Sequence, residues 1–88
     1  MEIHREQQAV RLDLSYAEAL TLRELFSRWD FIGILEDEEA WNDEAEERVF
    51  RQLFASLSEI VEETGTDRYG PAVSAAWQAT ARSTDPPQ

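Results

Sequence analysis

DEAEERVFRQLFASLSEIVEET, Asp43–Thr64, is the stretch that decides the fold. Ala45, Val49, Leu53, Leu57, Ile60, Val61 and Thr64 recur at steps of three and four, and Phe50 and Phe54 widen the stripe on one side. That is the period of a helix that buries one broad face. Asp43-x-x-Glu46 is a variant of the helix-capping box, and its carboxylates suit the positive pole of the helix dipole. Glu44→Arg48 and Glu47→Arg51 are i,i+4 pairs in the favourable orientation. Gly65 is a natural stop. A helix is expected over about 43–64, central to the molecule and glued to it by this stripe.

Upstream, Ala9–Leu14 alternates. Val10, Leu12 and Leu14 point one way and Ala9, Arg11 and Asp13 the other, which is the period of a half-buried strand. Met1–Gln8 is polar and reads as a frayed end. Ser15-Tyr16-Ala17-Glu18 is a capping box, so a helix is expected over about 16–29. Ala19, Leu22, Leu25, Phe26 and Trp29 form its apolar stripe, and Arg23, Glu24, Ser27 and Arg28 its wet face. Glu24→Arg28 adds a further i,i+4 pair. Tyr16 and Leu20 lie off the stripe, where they are free to touch a second subunit.

Phe31-Ile32-Gly33-Ile34-Leu35 is apolar apart from its glycine. It reads either as a short strand over 31–35 or as a loop whose Phe31, Ile34 and Leu35 plug a gap between helices. The near absence of a connection after Trp29 favours the loop. Downstream, a third helix is expected over about 67–82, with Tyr69, Val73, Ala76, Trp77 and Thr80 as its stripe. Thr66 or Asp67 caps it, or Gly70 does with Pro71 at the first helical position. The whole is a mainly α (α+β) fold of one small domain over 1–82, followed by a disordered tail, 83–88.

The order V-x-L-x-L-S-x-x-E-A-L-x-L (Val10–Leu22), E-x-x-V-x-x-Q-L (Glu46–Leu53) and D-x-Y-x-x-x-V-x-x-A (Asp67–Ala76) resembles a group of small uncharacterised bacterial proteins. The resemblance covers about two thirds of the chain and implies one strand followed by helices. Its positions are mostly caps and core residues, so it carries no activity. Gly33–Asn42 departs from the pattern.

Length and composition bound the function. A chain of 88 residues buries roughly 60–65% of its unfolded surface, enough for one small core. It has no cysteine, which excludes disulfides and thiolate-bound metals. The polar start MEIHREQQ is not a secretory signal, and no apolar run approaches the ~20 residues of a membrane span. A cytoplasmic protein is expected. The charge is lopsided: 19 acidic residues face 8 basic ones, all Arg, for a formal net of −11. That sign opposes direct binding to nucleic-acid phosphates and to anionic membranes. Cations and basic protein faces remain as partners.

Eight carboxylates fall within the twelve positions 36–47, with no basic residue among them. Glu36, Asp37, Glu38, Glu39, Glu44 and Glu47 are the candidate docking face for a basic protein, and Trp41 is its apolar anchor. The same density suits a solvated loop with Trp41 packed in the core. Asp37, Glu39, Asp43 and Glu47 offer hard oxygen ligands to a divalent cation, yet the turn of a calcium loop is missing. Glu59, Glu62 and Glu63 crowd the negative pole of the second helix, where Arg68 is placed to compensate. His4, the single histidine, lies in the end expected to fray and has no triad pattern around it. No catalytic motif and no cofactor site is present in the pattern, so a non-enzymatic role is expected. The leading expectation is a small acidic adaptor or inhibitor that engages a basic protein surface. The rival is a self-associating accessory subunit, a homodimer joined through Val10, Leu12, Tyr16 and Leu20, because a lone strand leaves its edges unpaired.

Overall fold

The computed structural model describes residues 1–83, without the side chains of Leu35, Arg82 and Ser83. The tail expected over 83–88 therefore lies almost wholly outside the described residues. The fold is mainly α, with a two-stranded antiparallel sheet ahead of three α-helices. No described helix is long and apolar enough to cross a membrane.

The strand expected at 9–14 runs over Ala9–Asp13 (β2), and it is not alone. Glu2–Glu6 (β1) pairs with it as a hairpin, so the N-terminus is not frayed. Ile3 lies opposite Leu12 and Arg5 opposite Val10 on one face, while Glu2 lies opposite Asp13 and His4 opposite Arg11 on the other. A single apolar residue in β1, Ile3, left too little alternation to read. The turn holds Gln7 at φ +56°, a conformation uncommon outside glycine.

Helix α1 spans Tyr16–Phe31 and begins at the expected capping box. The Glu18 N–H donates to Ser15 Oγ at 3.0 Å, and the Ser15 N–H donates to Glu18 Oε1 at 2.8 Å. The N-terminal ammonium also donates to Glu18 Oε2, at 3.1 Å, and ties the hairpin to α1. The helix outruns Trp29 by one half-turn. Gly33 then turns the chain at φ +89°, donating to the Asp30 carbonyl at 3.1 Å. Only a glycine adopts that turn without strain. Short 3-10 turns follow at Ile34–Glu36 and Glu38–Ala40, so 31–35 is not a strand. Nor is Phe31 a plug: it is 90% exposed.

Helix α2 spans Glu44–Ile60 and ends four residues before Thr64. Asp43 caps it, accepting from the Ala45 N–H at 2.8 Å, and Glu46 accepts from the Asn42 N–H at 2.9 Å. The early end has a packing cause. Val61 leaves the helix with an extended backbone and is buried to 1% exposure against α1 and the third helix. Continuing the helix would keep it on the α2 stripe. Glu62 and Glu63 therefore lie beyond the helix, and of the three carboxylates expected to crowd its negative pole only Glu59 is on it. Helix α3 spans Tyr69–Ser83.

The element on which the others pack is α1, not α2. One core cluster joins Leu20 of α1 to Val61, Val73 and Ala76, with Ala17, Tyr69 and Ala72 around it. The other joins Ala19 and Phe26 of α1 to Leu57, with Leu22, Leu25, Phe50 and Phe54 around it. A helix held between two partners buries two faces, which is why Leu20, off the single expected stripe, is only 4% exposed. Arg23 is half-buried and not on a wet face. Its guanidinium sits 5.3 Å from the Phe54 ring of α2 and 5.0 Å from the Tyr69 ring of α3, and its Nε donates to Ser58 Oγ at 3.2 Å. The molecule is open for its size: its radius of gyration is 14.7 Å, against roughly 12 Å for a compact domain of this length.

Candidate functional site

The openness has one main consequence. Because α3 takes the other face of α1, no described helix covers the Val49–Leu53 side of α2. Val49 is 63% exposed and Leu53 37%. The stripe expected to glue the molecule together does so only at Leu57 and Val61, with Phe50 and Phe54 half-buried beside it.

The uncovered half of the stripe lines a groove of about 510 Å³ formed by Phe26, Trp41, Ala45, Glu46, Val49, Phe50 and Leu53. Its floor is an aromatic cluster centred on Phe50. Phe26 lies 4.5 Å from Phe50, Trp29 stacks on it at 5.9 Å, and Trp41 meets it edge-on at 5.6 Å. Such offset and edge-on pairs add about 0.5–1.5 kcal/mol each beyond burial, so the floor is stiff. The walls are apolar except for Glu46. The volume is that of a ligand pocket, but the open shape suits a segment of another chain more than a small molecule.

Trp41 is also the wall of a second depression, of about 330 Å³, lined by Glu38, Asn42, Asp43, Glu44 and Glu47. The ring therefore separates an apolar groove from an acidic notch. Trp41 is neither a free anchor nor fully buried; it is half-buried. Its indole N–H is shielded from water and donates to nothing among the described residues. An unmet buried donor costs about 1–3 kcal/mol.

The remaining carboxylates divide by task. Asp37 accepts from the Glu39 N–H at 3.0 Å and so caps the 3-10 turn at Glu38–Ala40. Glu47 holds Arg51 at 2.7 Å, and Arg51 reaches back to Glu36 at 3.5 Å. The Glu47 carboxylate pushes the Arg51 guanidinium further towards its charged form. Glu36 and Glu47 are thus partly spent inside the chain, while Glu38, Glu39 and Glu44 are exposed. Glu24–Arg28 also forms, at 3.6 Å. Glu44 and Arg48 do not pair among the described residues. The carboxylates proposed for a cation, Asp37, Glu39, Asp43 and Glu47, do not converge among the described residues. The one convergent set of ligand atoms there is Glu2, His4 and Asp13.

The expected dimer contacts separate. Val10 and Leu12 are exposed on the hairpin beside Ile3. Tyr16 is partly exposed but bonded within the chain to Glu62 and Glu63. Leu20 is inside the core and unavailable to a partner. Sequence reasoning missed the exposed Trp29–Phe31 end of α1, the hairpin and the Arg23 bridge. Only the last had a legible signal, an Arg next to Leu22 and two residues from Leu25.

No protein family, no curated protein and no solved structure matches the chain.

Proposed function

We propose that the protein is a small acidic binding module whose groove and notch take a basic, partly apolar segment of another protein. The observation that carries this reading is the position of Trp41, one ring serving both an apolar groove and an acidic notch. A segment with alternating apolar and Arg or Lys side chains would bury Val49 and Leu53 and set its cations against Glu38, Glu39 and Glu44. The carboxylates would steer the encounter, and the groove would hold the complex. The test is titration of a fluorescent basic amphipathic peptide, with a peptide of the same composition in scrambled order as control. Expected are preference for the amphipathic order, steep weakening by about 0.5 M salt, and loss of the preference in Val49→Asp. Equal binding of both peptides, or binding untouched by Val49→Asp, would remove the groove from the reading.

A second reading is self-association through the hairpin. Ile3, Val10 and Leu12 form an exposed apolar patch on one sheet face, interrupted by Arg5. Met1–Asp13 carries three carboxylates against two Arg and the N-terminal ammonium, so nearly all of the net −11 lies elsewhere. Two hairpins would meet without the repulsion that the helical body would impose. Light scattering that returns a species of about 20 kDa, reduced to monomer by Val10→Lys, would favour this reading.

A further inference from the structure

We propose that the open end of the hairpin is a transition-metal site, built by Glu2, His4 and Asp13 and suited to Zn²⁺. The strand register makes the site. Glu2 and Asp13 are directly opposed, and His4 is two residues along from Glu2 on the same face. His4 Nε2 lies 3.1 Å from Glu2 Oε1 and 3.4 Å from Asp13 Oδ2. All three ligand atoms fall within 4.8 Å of one another. Zinc bound at about 2.0–2.2 Å by nitrogen and carboxylate oxygen sets neighbouring donors roughly 3.0–3.5 Å apart, which is the spacing of His4 Nε2 from each carboxylate.

One imidazole and two carboxylates select the ion. Mg²⁺ and Ca²⁺ take all-oxygen shells, whereas Zn²⁺ accepts this mixed set and completes its four positions with water. The location gives the ion work to do. A two-stranded hairpin is marginal by itself, and the main contacts of this one are between its own strands. Glu2 and Asp13 stand at its open end, where fraying begins, just before Ser15 starts α1. An ion there would join both strands at the entrance to the helix.

Arg11 is the competitor. Its Nη2 lies 3.3 Å from Asp13 Oδ2, and its Nη1 lies 3.3 Å from Glu6 Oε2. A bound cation takes Asp13 and leaves Arg11 to Glu6. Removing Arg11 therefore tightens metal binding, an effect that the long-range field of an acidic chain would not single out from other Arg removals. The site lies on the hairpin face opposite Ile3, Val10 and Leu12, and it does not depend on the groove.

The test is calorimetric titration of the full chain with Zn²⁺, with Mg²⁺ as control, beside the side-chain ¹⁵N resonances of His4. Expected are one Zn²⁺ per chain, a shift of the His4 Nε2 resonance, and no such shift with Mg²⁺. Affinity should fall about tenfold or more in His4→Gln and in Asp13→Asn, and rise in Arg11→Gln but not in Arg48→Gln. Zinc binding that leaves the His4 resonance unmoved, or no binding up to about 1 mM zinc, would reduce the cluster to an ion pair and overturn the proposal. The His4 resonance in the unaltered chain decides the matter even where a variant does not fold.

Discussion

The Tyr16 hydroxyl donates to Glu63 Oε1 at 2.8 Å, across 47 positions of sequence. The Tyr16 hydroxyl oxygen in turn accepts the Glu62 backbone N–H at 3.0 Å. One phenol at the start of α1 thus fastens the segment in which α2 stops and Val61 enters the core.

Tyr16→Phe removes both bonds and leaves the ring. The site is partly exposed, so water replaces part of what is lost and a small fall in stability is expected. Urea unfolding measures it. Hydrogen exchange at the Glu62 amide should quicken more than exchange within α1. An unchanged Glu62 amide would show that the tie is not made in solution.

Glu18 gives a pH signature. The Ser15 backbone N–H, and then the N-terminal ammonium, hold its carboxyl below the ordinary range. A carboxylate with a depressed folded pKa contributes its stability above the unfolded value of about 4.3 and loses it as pH falls. The stability gap between the unaltered chain and Glu18→Gln should be full at pH 7 and narrow progressively below about pH 4. The comparison is differential because protonation also relieves repulsion across a chain of net charge −11. A gap that stays constant with pH would contradict the assignment.

Leu20→Ala separates the core from a surface contact. Truncating a buried Leu costs about 2–5 kcal/mol, a large part of the stability of a small domain. Thermal unfolding by circular dichroism should show a strongly lowered midpoint that does not vary with protein concentration. A mild, concentration-dependent change would place Leu20 at a subunit interface instead.

Arg23 bridges the two helices that flank α1. Arg23→Lys keeps the charge but loses the flat guanidinium that lies against Phe54 and Tyr69. Each contact is worth about 0.5–1 kcal/mol, so Lys should cost roughly 1 kcal/mol and Ala more. Equal stability of Lys and Arg would show that charge alone acts there.

Local signals were legible where the deciding atoms are close in sequence. The Ser15–Glu18 box, the Asp43 cap and the Glu47–Arg51 pair are all made within one helical turn, and each stands where its spacing put it. The acidic block is likewise on the surface, because dense like charges have nowhere else to go. The second face of α1 was not legible. Leu20 off the stripe looks the same whether a third helix covers it or water does.

The sequence by itself determined three helices, the starts of the first two, a strand at 9–14 and the sign of the surface, since propensity, capping and charge act over a few residues. Tertiary structure alone decided which helix lies in the middle, where α2 ends and which half of its stripe stays wet. Those outcomes depend on what each face meets. Val49 and Val61 have the same chemistry, but α1 and α3 close over Val61 and no described helix closes over Val49.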